Sequence, residues 1–179
     1  MKSFLEYKKV VSLLNLKIQS SKNYVKAETK LIRNPNFPSE LSENLVKFVE
    51  KKLSNRELQW NKGSDLLSID NKRYEVKCFV SGPSTFSSKL FFDSIFFLDA
   101  RYSHQGIFIL YKIECDGNIF KRLNVNSTHT FLDFEKTGKR PRCNFFFLLS
   151  QLRKTNIKVS YYYVVVKKDI SVKQIEFPV

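Results

Sequence analysis

The stretch Trp60-Asn61-Lys62-Gly63-Ser64-Asp65-Leu66-Leu67-Ser68-Ile69-Asp70-Asn71-Lys72-Arg73-Tyr74-Glu75-Val76-Lys77-Cys78-Phe79-Val80 decides how this chain folds. Residues 66–69 suit a short strand, and Asp70-Asn71-Lys72 supplies turn chemistry. From residue 73 to residue 80 the pattern alternates. Tyr74, Val76 and Cys78 fall on one face; Arg73, Glu75 and Lys77 fall on the other. The reading is a hairpin with one apolar and one charged face. Side chains two apart on a strand point the same way, so Glu75 and Lys77 project side by side. Asp65, just before the first strand, is placed to lie across from them.

Upstream, Leu5, Val10, Leu13, Leu14 and Ile18 recur at helical spacing and predict a helix over 4–18. Residues 20–38 are polar, contain Pro35 and Pro38, and read as a connection. A second helix is predicted over 39–53. Ser39 is its cap, Glu40 and Glu43 lie near the positive end of its dipole, and Leu41, Leu45, Phe48, Val49 and Leu53 face the core. Downstream, Ser81-Gly82-Pro83-Ser84 ends the second hairpin strand. Residues 90–98 fit a strand or a buried helix, since periodicity does not separate the two. Strands are predicted over 106–114 and 119–126, around the turn Asp116-Gly117-Asn118. A basic loop is predicted over 135–142, a helix over 144–154 and a strand over 159–166. No internal repeat or domain boundary interrupts residues 1–179.

The net charge is +14, from 31 Lys and Arg against 17 Asp and Glu. A field of that sign draws polyanions, nucleic acid first and an acidic membrane surface second; plain solubility is the blander explanation. The cysteines Cys78, Cys115 and Cys143 are odd in number and lack the spacing of a disulfide framework or a zinc site. His104 and His129 are too few for a His-rich metal site. The start of the chain lacks a signal-peptide pattern, and the longest apolar run, 90–98, is too short to span a bilayer. The expectation is a protein that is not secreted and not in a membrane, in the reducing cytoplasm of a bacterial or virus-infected cell.

Asp65, Glu75 and Lys77 form the pattern D…ExK. Hydrolysis of a phosphodiester requires attack by water on an anion and expulsion of an alkoxide. Two carboxylates can hold Mg²⁺, which prefers oxygen ligands and keeps several waters. The ion screens the phosphate and acidifies the water. The expected metal ligands are Asp65, Glu75 and the carbonyl of Val76, with Lys77 orienting the water or stabilising developing charge. Taken alone, Glu and Lys alternating on a strand are more often a solvated ion pair.

The surroundings add to the pattern. Gly63-Ser64-Asp65-Leu66-Leu67, Tyr74-Glu75-Val76-Lys77-Cys78-Phe79 and Ser81-Gly82-Pro83-Ser84-Thr85-Phe86 resemble the PD-(D/E)XK nucleases, and more closely the small type II restriction endonucleases of that superfamily. The resemblance continues through Phe96-Phe97-Leu98-Asp99-Ala100 and Lys139-Arg140-Pro141-Arg142, covering about half the chain in patches. Ser64 stands where that superfamily often has Pro. The resemblance implies an α/β fold with a central mixed β-sheet flanked by helices. It also implies Mg²⁺ as cofactor and a homodimer. A further acid often comes from the helix before the motif; Glu43 is the candidate, with Glu40 and Glu50 its competitors. The expected layout is one nuclease domain: an N-terminal helix and connection (1–37), a catalytic core (38–100) and the remaining strands, basic loop, helix and C-terminal strand (101–179).

Candidate DNA contacts are Ser81, Ser84, Thr85 and Lys89, directly after the catalytic strand, and Lys136, Lys139, Arg140 and Arg142 in the basic loop. Arg can fork onto phosphate or read guanine, and phosphate contact is the commoner use. The polar run Asn124, Asn126, Ser127, Thr128 and His129 can also reach base edges. The functional expectation is a type II-like restriction endonuclease that cuts double-stranded DNA at a specific site with Mg²⁺. A cognate DNA methyltransferase would then be its partner in the cell. The alternatives are a junction-resolving or repair nuclease of the same fold, and a non-catalytic basic DNA-binding protein.

Overall fold

The computed structural model describes residues 2–26 and 36–176. Seven strands form one sheet in the order β1 (Leu58–Trp60), β2 (Leu66–Ser68), β3 (Arg73–Phe79), β5 (Ser94–Asp99), β6 (Ile107–Ile113), β8 (Val159–Val166) and β9 (Ile170–Ile175). Only β3 and β5 pair parallel; every other neighbouring pair is antiparallel. A parallel pair requires a crossover. Residues 80–93 make it, and they carry β4 (Ser84–Thr85), which pairs with β7 (Arg142–Cys143) in a separate two-stranded ribbon.

Helices cover both faces of the sheet. On one face lie α1 (Lys2–Lys26) and α2 (Ser39–Ser54), whose Val10, Leu14, Ile18, Leu45 and Val49 pack against Tyr74, Val76, Phe96 and Leu98. On the other lie α3 (Gly117–Phe120), α4 (Phe131–Thr137) and α5 (Phe145–Leu152), whose Phe120, Phe131, Phe145 and Leu148 meet Ile95, Phe97 and Phe79. Alternate residues of β5 thus serve opposite cores, and both sets are buried. A strand buried on both faces reads as an unbroken apolar run, which is why periodicity left 90–98 undecided. The expected mixed sheet flanked by helices is present.

Several expectations are corrected. The first helix extends to Lys26, taking part of what read as a connection; residues 27–35 of that connection lie outside the described residues. Leu13 and Leu53 are exposed rather than core. Ser39 is not the cap of α2: Pro38 holds that place, with no side-chain capping bond. No strand spans 119–126. Asp116 instead accepts hydrogen bonds from the Asn118 and Ile119 amides, which starts α3 where a hairpin turn was expected. The basic loop is shorter than 135–142, because a Thr130–Asp133 capping box starts α4, and this helix takes up Glu135 and Lys136. The edge strands β1 and β9 went unread, β1 being only three residues long and β9 half polar. No helix among the described residues is long and apolar enough to cross a membrane.

Candidate active site

β2 pairs with β3 only through Leu66–Tyr74 and Leu67–Arg73. Beyond Tyr74, β3 keeps its β5 neighbour but has lost the strand on its other side. The next amide facing that open side belongs to Val76, and it donates to Asp65 Oδ2 at 2.7 Å. Asp65 therefore substitutes its carboxylate for the strand carbonyl that the ladder no longer supplies. That bond fixes Asp65 beside the middle of β3. In a strand the N–H and C=O of one residue project to the same side, so the Val76 carbonyl is also directed toward the open side.

Glu75 and Lys77 stand together on β3, both mostly buried, with Lys77 Nζ hydrogen-bonded to Glu75 Oε1. Lys77 also lies over the Phe86 ring, 5.6 Å from its centroid. Glu43 reaches the same place from α2. Its Oε2 accepts a hydrogen bond from the Trp60 indole at 2.7 Å, and Lys47 sits over the Trp60 ring at 3.8 Å. Glu43, Asp65, Glu75, Trp60 and Ser87 line one cavity of about 370 Å³. Of the competing acids, Glu40 is exposed in the first turn of α2. Glu50 is buried elsewhere, held by Lys112 Nζ at 2.9 and 3.0 Å.

The carboxylates influence one another. Burial foremost, then the charge of Asp65, push the Glu43 carboxyl above its ordinary range, and the Trp60 hydrogen bond pulls it partly back. Burial also raises Glu75; Lys77 opposes the shift and Asp65 adds to it. The charge of Asp65 thus discourages ionisation of both Glu43 and Glu75, a setting in which a cation is favourable. The donor set is all oxygen, which suits Mg²⁺ and excludes a thiolate-type zinc site. Each carboxylate is presently tied to a protein donor: Asp65 to the Val76 amide, Glu75 to Lys77 and Glu43 to Trp60. Accordingly, no three Asp, Glu, His or Cys side chains among the described residues converge as a ready ligand shell. A magnesium ion fits through two carboxylates and retained water, since it rarely demands a full protein cage.

A second cavity, of about 320 Å³, is lined by Lys77. Ser81, Ser84, Thr85 and Arg142 line it, together with Ser39 and Ser42 of α2. The β4–β7 pairing sets Arg142 directly opposite Thr85. Lys89, Lys136, Lys139 and Arg140 are exposed outside this cavity, Arg140 Nε donating to the Phe86 carbonyl at 3.4 Å. In the polar run after residue 123, Asn126 Oδ1 is occupied by the Thr128 and His129 amides, which closes a local turn. His104 sits in a short 3₁₀ turn, away from both cavities.

Sequence reasoning missed Trp60. It is the only Trp of the chain and falls five residues before Asp65. Its place in the quoted stretch was a usable signal; its contact with a helix residue 17 positions upstream was not. The lining role of Ser39 and Ser42 was equally hidden, since a Ser at a helix start ordinarily reads as a cap.

The family model described as Bsp6I restriction endonuclease matches residues 6–151. That span contains both cavities and every candidate site residue. No curated protein matches. No solved structure matches either.

Proposed function

This chain belongs to the Bsp6I restriction endonuclease family, and from that premise we propose that it is a type II restriction endonuclease. In this reading it hydrolyses double-stranded DNA with Mg²⁺, at a centre made of Asp65, Glu75, Lys77 and Glu43. The observation that carries the residue assignment is the hydrogen bond from the Val76 amide to Asp65 at 2.7 Å. It brings the first acid of the motif beside Glu75 and Lys77, in the cavity that Glu43 also lines.

Asp65, Glu75 and the Val76 carbonyl would hold the magnesium ion, with Glu43 as a further carboxylate. Bound there, the ion neutralises phosphate charge and makes a coordinated water more acidic. The remaining work falls to the chain. Lys77 directs its ammonium toward the reacting phosphate and stabilises charge gathering on its oxygens. Its tie to Glu75 holds it in place before substrate arrives. Trp60 fixes the Glu43 side chain, and the hydroxyl of Ser87, on the same cavity, is available to a phosphate oxygen. Exposed Lys89, Lys136, Lys139 and Arg140 supply the positive field that gathers duplex DNA and fixes its orientation.

A homodimer and a methyltransferase of matching specificity complete the proposal. Two copies of one site cut both strands of a palindrome most simply, and methylation would shield the host genome. The test is incubation of plasmid DNA with the protein and Mg²⁺, beside an EDTA control and Lys77→Ala. Discrete fragments from the native protein alone are the expected result. Equal cutting by Lys77→Ala would refute the assignment of the centre. Absence of cutting on several unmethylated DNAs would refute the restriction reading.

A further inference from the structure

We propose that the second cavity is a socket for the DNA phosphate next to the scissile one, built on the N-terminus of α2. The inference rests on the nuclease reading above and adds a specific subsite to it.

Three observations converge. First, α2 is 16 residues long and starts without a side-chain cap, Pro38 holding the capping position. The Ser42 amide makes the first intrahelical bond, to the Pro38 carbonyl at 3.1 Å. The amides of Ser39, Glu40 and Leu41 precede it, and none finds an acceptor among the described residues. Unpaired amides at the positive end of a helix dipole are a ready anion site. Second, Ser84 lines the same cavity, is only 6% exposed, and its Oγ has no hydrogen-bond partner among the described residues. A buried hydroxyl left unpaired is costly unless something supplies the missing bond. Third, the lining contains two cations, Lys77 and Arg142, and no carboxylate. Glu40 lies in the first turn of α2 but is not part of the lining. Arg142 makes no ion pair among the described residues.

Charge is thus sorted across a single strand. Glu75 faces the acidic cavity, Lys77 faces the basic one, and the two side chains touch. Residues two apart on a strand are separated by about 6.6 Å, a step comparable with that between successive phosphates. A DNA strand whose scissile phosphate lies at Glu75 and Lys77 has its neighbouring phosphate within reach of Ser84, Arg142 and the open end of α2. The socket fixes register without reading bases.

Ser39→Asp tests this. Ser39 is exposed and is the first residue of α2, where a carboxylate interacts favourably with the dipole. The variant should fold at least as stably as the native protein while its carboxylate takes the place of phosphate. The probe is a fluorescently labelled duplex of arbitrary sequence, bound in EDTA across a range of KCl. The expected result is affinity weakened about fivefold or more, and a salt slope smaller by about 0.9, the value for one lost phosphate contact. Arg142→Gln should reduce the slope likewise. Native affinity and native slope in Ser39→Asp, in a protein that still cuts plasmid, would overturn the socket and leave the nuclease reading intact. Failure of the native protein both to bind and to cut DNA would overturn both.

Discussion

Replacing Trp60 by Phe removes a single N–H while keeping most of the ring. The lost bond runs from the indole to Glu43 Oε2 at 2.7 Å. A hydrogen bond to a charged acceptor contributes about 1.5–3 kcal/mol where it is sheltered. Trp60 is 51% exposed, so solvent competes and the figure is discounted to about 1 kcal/mol. That bond favours the ionised carboxylate and opposes the rise that burial and Asp65 impose. Without it, Glu43 is both more mobile and more readily protonated. Each effect weakens a cation site, and about 1 kcal/mol corresponds to a roughly fivefold loss of affinity. The assay is initial cleavage rate against Mg²⁺ concentration at several pH values. Trp60→Phe should need about fivefold more Mg²⁺ for half-maximal rate, by the same conversion. At saturating Mg²⁺ its rate should approach the native one, and its acidic limb should move to higher pH. An unchanged Mg²⁺ requirement together with an unchanged pH profile would refute the reasoning that Glu43 serves the cation and that Trp60 positions it.

Three further outcomes follow from the same geometry. Glu75 has its folded pKa raised by burial, so its share of stability is complete below the unfolded value and is lost as pH rises through the folded one. Glu75→Gln should therefore melt higher than the native protein at pH 8 without Mg²⁺, with the gap closing near pH 4, while cleavage is abolished; an equal gap at both pH values would contradict this. Lys112→Met strands the 1%-exposed Glu50 without its closest cation, since Arg56 stands farther off at 3.5 Å. Urea unfolding should show a loss of about 3 kcal/mol, largely restored in the Glu50→Gln/Lys112→Met double variant. Gly106 has φ of 73°, and a Cβ there would meet the Val166 carbonyl oxygen at 2.5 Å. Gly106→Ala should cost at least about 2 kcal/mol in the same assay, without changing the Mg²⁺ requirement.

The parts of this fold legible in the sequence are those set by short-range pattern. The 73–77 alternation and the β-branched run 159–166 encode their own strands, because burial there follows residue parity. Asn144 marks the start of α5 because its side chain accepts from the Phe146 and Phe147 amides, a bond spanning two or three residues. The strand over 119–126 failed for the complementary reason. Ile119, Phe120, Leu123 and Val125 carry strand-like content, but the Asp116 cap three residues earlier commits the chain to a helical turn. Local capping prevailed over propensity, which is weak in β-structure. Glu43 was legible as one of three acids on a helix. Only the packing of α2 on the sheet, with Glu50 turned inward to Lys112, separates it from the other two.

The site follows from the early end of β2. Had β2 continued beyond Leu66 alongside Glu75 and Val76, ladder hydrogen bonds would have consumed the Val76 amide and carbonyl. Asp65 would then have faced into a sheet rather than a cavity. Beginning the strand at Leu66, two residues short of the position opposite Val76, leaves an amide that needs an acceptor. A carboxylate meets that need without closing the edge. The carboxylate is then held beside Glu75 despite their mutual repulsion, because the amide bond and the neighbouring Lys77 offset it. Introducing a cation relieves that repulsion, and it should stabilise the fold most at the pH where Glu43 and Glu75 are ionised. Stability conferred by Mg²⁺ should therefore fall as pH drops through their raised pKa range, and a differential melting series with and without the ion measures it. A Mg²⁺ shift that stayed constant down to pH 4 would mean that the ion binds elsewhere.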